Sequence, residues 1–447
     1  MALDNNLQDK EAARAFWAYN AALAAGTPLL AGWFAWRVLG SGKSREGWLQ
    51  RLGLADRFFP EITPQDSVWF HAVSVGEVAA IAPVVRQYLQ TQEPLTPLLS
   101  TITQTGRKMA ERALPEAGHF YLPVDILPAV RASVRRIQPK CLVLCEAEIW
   151  PNLLNEVKRS GASVALVNGR VSDRTAEKKS KFGWIFRWAL GNIDRLLMQS
   201  EQDAERVIAL GAHPDKVEVA GNTKFDEVDL PLSTQQQKAL RASLGVSTDT
   251  LLFVAGSINP GEDEPVLDAF LQARQLYPSL RMILAPRQIE RGKEIAGMVK
   301  ARGLYPALRS VERLLGTGDV LILDTLGELA EVYGVSCAAF VGGTFIDKGG
   351  HNILQPLAQG VPVAYGPYSY KIRDISSKAS AAGLATLTRN SDELALWLCR
   401  ILEAPGRLRF QALEFVKNNQ GASRRAAEVI REECLKGRLS GETEFAI

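Results

Sequence analysis

Carboxylates that directly follow predicted strands are the residues best placed to do chemistry in this sequence. Glu77 ends the segment HAVSVGE, which follows an apolar stretch and opens a predicted helix, so Glu77 falls in the first turn of that helix. There its charge can simply stabilise the helix dipole. If burial tunes its pKa, Glu77 can instead act as a general base, with Ser74 and the amides near Gly76 orienting the substrate. The pattern alone leaves both interpretations open.

A second acidic segment, EAEIWPN, carries Glu146 and Glu148 at the end of another apolar stretch. Two carboxylates this close together are costly to bury unless they have partners or a function. Arg170, in the turn after the next predicted strand, and Lys224 are candidate ion-pair partners. Arg170 could equally bind an anionic sugar carboxylate. Structural pairing and substrate binding therefore both stay open for this segment.

Two turns in the second half of the chain have the composition of anion sites. Ser257 ends a predicted strand, and Asn259 precedes the next predicted helix. A turn of small residues that leads into a helix N-terminus is a general site for anions, although such turns are common. Arg287 follows another predicted strand in the segment APR, where it can contact a phosphate or a base edge, or simply face solvent.

The longest set of functional signals is a glycine-rich loop in the segment VGGTFIDKGGHNILQP, from Val341 to Pro356. Its two glycine pairs permit unusual backbone angles and a close approach of backbone amides to a phosphate. A helix N-terminus predicted at Gly350–Asn352 would add unpaired N–H groups and a favourable dipole. A purely structural turn is the alternative. The residues of this loop that we predict to contact a nucleotide are Gly349, Gly350, His351, Asn352 and Gln355.

The elements that must position these residues form two series of alternating strands and helices. A polar stretch, Asp226–Asp249, separates the series and has the composition of a linker. Alternation of this kind predicts parallel sheets, which bind ligands at the carboxyl ends of their strands. We therefore predict an α/β fold of two Rossmann-like domains facing a cleft. The predicted parts are an N-terminal apolar helical segment at 1–60, domains at 61–228 and 229–410, and a C-terminal helical segment at 411–447.

The N-terminal segment is the one part of the sequence that suggests a membrane. No charged residue occurs from Ala15 to Trp36, and this run reaches the roughly 20 residues that a bilayer requires. Its polar residues and its richness in alanine and glycine fit equally well a hairpin packed on the body of the protein. If the run spans a membrane, the basic residues at Lys43–Arg51 favour a cytoplasmic body.

Composition and charge exclude several classes of function. The 447-residue chain carries a net charge of only +3, spread along its length, which argues against nucleic-acid binding. The five cysteines form no CxxC pair and the four histidines no close pair, so we expect free thiols and no metal site. No GxGxxG follows the first strand of either series, which argues against an NAD(P)-dependent enzyme.

Taken in order, these segments resemble the 3-deoxy-D-manno-octulosonic acid (Kdo) transferase family of lipopolysaccharide assembly. The resemblance runs from His71 to about Pro367. It is carried by the segments HAVSVGE, EAEIWPN, NGRVS, GNTKFD, AGS, APR, DTLGEL, VGGTF and GGHN. It implies the fold of a GT-B-type glycosyltransferase. It also implies an inverting enzyme, without metal or cofactor, that moves Kdo from CMP-Kdo onto a lipid A precursor. It also implies work at the cytoplasmic side of the inner membrane.

The same resemblance implies a role for each candidate residue. Glu77 would be the catalytic base that deprotonates the acceptor hydroxyl. The residues expected on the acceptor side are Ser74, Gly76, Glu146, Glu148 and Arg170. The residues expected to hold the CMP donor are Lys224, Ser257, Asn259, Arg287, the turn Gly349–Asn352 and Gln355.

This sequence departs from the usual family pattern in its second half. Asn259 and Gln288 stand where the family usually carries histidines, and Gln355 stands where glutamate is usual. A glutamine can still hydrogen-bond a ribose hydroxyl, but it carries no charge. These changes indicate a divergent member with a retuned donor site, and they leave two alternatives. One is a transferase of another CMP- or nucleotide-linked acidic sugar. The other is a catalytically silent membrane-bound relative, against which the retention of Glu77 argues.

Overall fold

A computed structural model describes residues 11–26, 47–54, 67–171, 179–311, 315 and 318–442, with side chains described outside 179–182 and 437–442. The chain divides into two compact units. The first comprises Met1–Glu227 together with Gln420–Ile447, and the second comprises Val228–Asn419.

The first unit contains a seven-stranded parallel sheet in the order β3-β2-β1-β4-β5-β6-β7. Its strands are β1 Ser67–His71, β2 Thr96–Thr101, β3 Gly118–Tyr121, β4 Cys141–Cys145, β5 Ser163–Gly169, β6 Arg195–Met198 and β7 Val217–Val219. Its helices are α1 at 11–26, α2 Trp48–Arg51, α3 Val75–Leu89, α4 Gln104–Ala113, α5 Leu127–Ile137, α6 Pro151–Arg159, α7 Lys179–Gly191 and α8 Glu201–Leu210. β1, β4 and β5 are buried along their whole length, which explains why most of their residues are apolar.

The second unit repeats this architecture with the sheet order β10-β11-β9-β8-β12-β13-β14, again all parallel. Its strands are β8 Leu251–Ile258, β9 Leu280–Pro286, β10 Pro306–Leu308, β11 Val320–Ile322, β12 Ala338–Val341, β13 Val363–Tyr365 and β14 Ala385–Leu387. Its helices are α9 Thr234–Ser243, α10 Asp263–Leu276, α11 Gly292–Ala301, α12 Leu329–Tyr333, α13 Leu354–Ala358, α14 Arg373–Ala381, α15 Ser391–Leu402 and α16 Arg409–Asn418. The predicted fold class of two parallel α/β units is confirmed.

The stretch Asp226–Asp249 is not the unstructured linker that its polarity predicts. It contains α9, whose N-terminus is closed by a capping box in which Ser233 and Gln236 exchange side-chain-to-backbone hydrogen bonds. A Ser-x-x-Gln pair satisfies amides that the first helical turn leaves without partners. The capping pair was therefore the sequence signal for this helix.

The C-terminal helix returns to the first unit. α17, Ala422–Glu442, packs Val429, Ile430 and Cys434 into the core that β1, α3 and β4 form. Asp226 accepts hydrogen bonds from the amides of Gly421 and Ser423, at 2.6 and 2.7 Å, and so caps the start of α17. The sequence predicted a terminal helical segment but not that this segment completes the first domain.

The described part of the N-terminal apolar run is α1, and it contacts the body of the first unit through polar side chains. The Tyr19 hydroxyl donates to Asp125 at 2.8 Å, and the side-chain amides of Asn20 and Asn152 exchange hydrogen bonds of 2.9 and 3.0 Å. Within the described ranges, no helix is long and apolar enough to cross a bilayer. The remainder of the run, 27–36, lies outside the described residues.

Candidate functional site

Both sheets have a switch point, where successive connections leave a central strand in opposite directions. In the first unit this strand is β1, which lies between β2 and β4, and in the second unit it is β8, which lies between β9 and β12. Open parallel sheets bind ligands beyond the carboxyl ends of the strands at such points. Glu77 and Glu146 follow β1 and β4, while Asn259 and the glycine loop follow β8 and β12. Each unit thus carries its candidate residues where the fold provides a crevice.

Glu77 combines an oriented carboxylate with an unusual proton affinity. The Val73 amide donates to Glu77 Oε2 at 2.7 Å, which directs the carboxylate back toward the strand end. Burial raises the pKa of Glu77 to about 8, and the charges of Glu148 and Glu146 add to this rise, whereas Lys224 opposes it. A carboxylate whose pKa lies close to neutrality is suited to general-base catalysis.

Glu146 forms the ion pair that was one of the two interpretations of its segment. Lys224 Nζ lies 3.1 Å from Glu146 Oε1, and both side chains are largely buried. Glu146 itself has a φ of 62°, a left-handed conformation that is uncommon outside glycine and that turns the chain sharply after β4. Lys224, predicted among the donor-binding residues, therefore lies in the first unit beside the carboxylates.

Glu148 is held by the indole of Trp150, whose Nε1 donates to Glu148 Oε2 at 3.1 Å. Burial raises the pKa of Glu148, and the charge of Glu146 contributes to the rise. The Arg170 amide donates to the Glu146 carbonyl at 3.3 Å, so the turn after β5 is tied to the same segment.

Ser74 and Gly76 lie at the mouth of the crevice above β1. Ser74 precedes α3, and its side chain does not cap that helix. A Cβ placed on Gly76 would meet no described atom within 4 Å. The protein itself therefore does not require glycine at position 76, and the open space beside it is available to a ligand.

Removing the positive charge of Lys224 is expected to shift the pH dependence of the reaction. In the wild type, an acid limb set by Glu77 would lie near pH 8. Lys224→Met withdraws the charge that lowers the pKa of Glu77, so the limb should move to higher pH. A rise of about half a unit would lower the deprotonated fraction at neutral pH about threefold. The measurement is kcat/KM against pH, with Lys224→Arg as the charge-conserving control. An unchanged limb in Lys224→Met would contradict this coupling.

The site of the second unit is organised around Glu262, a residue that sequence reasoning missed. Glu262 is fully buried. Its Oε2 accepts hydrogen bonds from the amides of Asn259 and Gly343, at 3.0 and 2.6 Å. Its Oε1 accepts from Thr344 and Phe345, at 2.9 and 2.8 Å. The available signal was an acidic residue next to Gly261 at a predicted helix start, which is weak by itself.

These hydrogen bonds contradict the prediction that the backbone amides of the glycine-rich loop bind a phosphate. The amide of Gly343 donates to Glu262 and cannot also bind a phosphate. The amides of Gly350 and His351 donate to the carbonyls of Gly343 and Gly342, at 2.8 and 3.2 Å. The prediction of unpaired N–H groups at Gly350–Asn352 is therefore wrong for Gly350 and His351, because the loop folds back and pairs with itself.

The helix predicted at Gly350–Asn352 also begins later, at Leu354, and spans only five residues. The Asn352 side chain accepts from the Leu354 amide at 2.9 Å and opens this short helix, while Gln355 lies in its first turn. Gly349 has a φ of 87°, and a Cβ there would overlap Tyr370 and Lys371. Glycine is therefore required at position 349 by the loop's own packing.

Positive charge in the second unit comes from side chains rather than from amides. Burial and the nearby charges of Arg287 and Lys371 lower the pKa of His351. Ser257 has a φ of 58°, and this turn brings the end of β8 to the same loop. Arg287 is exposed and free to reach a ligand phosphate, and Lys371 is a cation that sequence reasoning missed. Among the described residues, no group of three or more His, Cys, Asp or Glu side chains is placed to hold a metal ion.

Comparison with known proteins shows which sequences this chain resembles. Residues 46–227 match the profile of a family described as 3-deoxy-D-manno-octulosonic-acid transferase. A 3-deoxy-D-manno-octulosonic acid transferase from Bordetella pertussis is 34% identical over 81% of this chain and 86% of its own length. A bifunctional glycosyltransferase/methyltransferase from Fusobacterium nucleatum is 33% identical over 75% of this chain, which spans about half (52%) of that protein.

A solved glycosyltransferase from Rickettsia africae aligns with 82% of this chain and 98% of its own, with a TM-score of 0.55 and 11% identity, a likeness of fold alone. Two parallel α/β units with a candidate site at each switch point are the fold that this chain shares with that glycosyltransferase. The sequence likeness identifies the family. The chain belongs to the Kdo transferase family.

Proposed function

We propose that this protein transfers Kdo from CMP-Kdo to a hydroxyl of a lipid A precursor, with inversion at the anomeric carbon. The acceptor oxygen forms a bond to that carbon as the bond from the carbon to the CMP phosphate oxygen breaks. The bonding electron pair leaves with CMP, and the acceptor proton passes to Glu77. No metal is needed if protein cations stabilise the charge that develops on the leaving phosphate.

The observation that carries this proposal is the raised pKa of Glu77. A carboxyl with a pKa of about 8, held by the Val73 amide, can accept a proton from a hydroxyl far better than an ordinary exposed glutamate. Gly76, the residue before Glu77, is exposed and has no described atom within 4 Å of an added Cβ, so an acceptor can approach the start of α3 there. The choice of Kdo as the transferred sugar rests on the family to which the chain belongs. The choice of Glu77 as the base rests on the contacts described here.

The second unit supports an anionic donor. Arg287, Lys371 and His351 surround the loop that follows β12, and the first two act electrostatically on the third. Arg287 is exposed and available to a phosphate. The neutral residues Asn259 and Gln355 favour, as a second candidate, a related transferase that takes another CMP-linked acidic sugar. The nucleotide chemistry is common to both candidates.

We also propose that the protein works at the cytoplasmic face of the inner membrane. A groove of about 1000 Å³ in the first unit lies between α1 and α7 and is lined by Arg14, Trp184, Arg187 and Lys216. Trp17 and Trp184 are 68% and 45% exposed. Cations next to exposed indoles are typical of surfaces that lie at a membrane interface.

Charge reversal at Lys178, Lys179 and Lys181 is expected to weaken association with anionic vesicles, because these residues introduce the basic and aromatic segment of α7. Their side chains lie outside the described residues, so the prediction rests on sequence. Co-sedimentation with phosphatidylglycerol vesicles measures it. The matched control reverses three exposed lysines of the second unit, Lys238, Lys293 and Lys300. Equal binding of the two triple variants would contradict a specific role for the α7 segment.

The test of function is transfer by purified protein in detergent. CMP-Kdo generated in the assay and a lipid A precursor are the substrates, and mass spectrometry detects the product. A mass increase of one or more Kdo residues supports the proposal. Binding of CMP without transfer of Kdo would move the conclusion to another CMP-linked sugar. If the protein shows neither transfer of Kdo nor binding of CMP, the catalytically silent relative becomes the better interpretation.

A further inference from the structure

The amide side chain of Asn259 lies at the centre of the second unit's site. Its Nδ2 is 3.1 Å from the Ser257 carbonyl oxygen, 3.4 Å from Glu262 Oε2 and 3.1 Å from His351 Nε2. The side chain is buried, so these contacts are not exchanged with water. Asn259 therefore links the end of β8 to the loop that carries the histidine.

The orientation of this amide is determined by its neighbours. A carbonyl oxygen and a carboxylate oxygen only accept hydrogen bonds, so the NH₂ group of Asn259 must face Ser257 and Glu262. Rotating the amide would place Oδ1 against two other acceptors. The NH₂ group has two protons, and its two shorter contacts take them, at 3.1 Å to the Ser257 carbonyl oxygen and 3.1 Å to His351 Nε2. Glu262 Oε2 is further away, at 3.4 Å, and already accepts two backbone amides. Nε2 is therefore the acceptor in its pair, because an Nε2–H would face a nitrogen that cannot accept it.

We propose that Asn259 fixes His351 as the Nδ1–H tautomer, so that the second unit presents a neutral hydrogen-bond donor to an anionic oxygen of its ligand. The identification of that ligand as a CMP-sugar rests on the proposed function, whereas the tautomer does not. A neutral imidazole carries its single proton on one nitrogen, and the partner of the other nitrogen selects which one. Asn259 is thus a positioning residue for His351.

The packing around the imidazole holds it against Asn259. Gly343 has a φ of 71°, and a Cβ at that position would lie 2.9 Å from His351 Cδ2 and 3.0 Å from Nε2. Glycine at 343 therefore makes room for the ring. The His351 amide is fixed in turn by the Gly342 carbonyl at 3.2 Å, so both the backbone and the ring of His351 are located.

The charges around His351 also favour the neutral form. Arg287 and Lys371 disfavour a second proton, Glu262 favours it, and burial has the largest effect, so the pKa of His351 is lowered overall. A protonated ring would in addition direct an Nε2–H at the NH₂ of Asn259, donor against donor. The site consequently binds an anion with two permanent cations and one neutral donor, and its affinity should not depend on a histidine charge.

The tautomer can be read directly by NMR, because the chain contains only four histidines. Full-length protein labelled with [¹⁵N]histidine, without ligand and at neutral pH, is recorded in long-range ¹H–¹⁵N spectra, and His351→Gln identifies the signals of His351. The expected result is a protonated Nδ1 and an unprotonated Nε2. A protonated Nε2 in the wild type would overturn the inference without any need for a variant at position 259.

Asn259→Ala then tests the cause. The expected result is a shift of His351 toward the Nε2–H form that imidazole favours in water, together with about fivefold weaker binding of CMP in calorimetry. Asn419→Ala is the matched control, since that side-chain amide donates to the Phe415 carbonyl one helical turn before it, at 2.8 Å. An unchanged tautomer in Asn259→Ala would show that Asn259 does not set it. A wild type with the expected tautomer that binds no CMP would remove the proposed donor but leave the positioning role intact.

Discussion

Glu77→Gln is expected to lower kcat for Kdo transfer by about 10² to 10⁴-fold while leaving the fold intact. Glutamine keeps an oxygen that can accept the 2.7 Å hydrogen bond from the Val73 amide, so the local structure does not depend on the carboxylate. It cannot take a proton from the acceptor. The measurement is single-turnover transfer at saturating donor, which separates the chemical step from binding. The matched control is Glu111→Gln, an exposed carboxylate of α4 in the same unit.

The same substitution has a signature in stability that does not depend on activity. The pKa of Glu77 is about 8 in the folded protein, against an ordinary value of 4.5. Between these two values the folded chain holds a proton that the unfolded chain has released, so the stability contributed by Glu77 falls as pH rises through this window. Glu77→Gln removes the titration, and its unfolding midpoint should vary less with pH than that of the wild type. Equal pH dependence of the two midpoints would contradict the raised pKa.

Glu262→Ala is expected to destabilise the second unit strongly, by about 3 to 5 kcal/mol in its free energy of unfolding. The four backbone amides that donate to Glu262 would lose this acceptor, and buried donors without partners are costly. Urea unfolding measures the loss. Hydrogen exchange at Gly343, Thr344 and Phe345 locates it.

Glu264→Ala is the matched control for this prediction, because Glu264 is an exposed carboxylate two positions along the same helix start. Glu262→Gln should fall between the two variants. Its carbonyl oxygen can replace one carboxylate oxygen, but its NH₂ group then faces two amide donors. A Glu262→Ala protein as stable as Glu264→Ala would mean that the loop does not need the carboxylate.

Much of the fold was predictable from the sequence because strands such as β4 and β8 are continuous apolar runs with helix starts after them. The short strands β3, β10 and β14 carry no such signal, since each has only three or four residues and lies toward a sheet edge. Their pairing is decided by neighbouring strands rather than by their own composition.

The sequence allowed us to predict which residues belong to the candidate site, but not which of them contact one another. The position of Glu77 and Glu146 after β1 and β4 followed from the order of strands and turns. Whether Glu146 pairs with Arg170 or with Lys224 did not, because Lys224 is 78 residues away in sequence. The role of Glu262 was not predictable for the same reason, since three of the four amides it binds lie 81 to 83 residues further along the chain. Single-sequence patterns record local spacing, and both contacts are long-range.

The return of α17 to the first unit has a consequence for how the protein is made. Val429 and Ile430 are fully buried in the core that also contains Val68 and Val143, so that core is incomplete until α17 has left the ribosome. The second unit, Val228–Asn419, has all its strands available earlier. The domain that is synthesised second is therefore able to fold first, and the domain with Glu77 has to wait until α17 has been made.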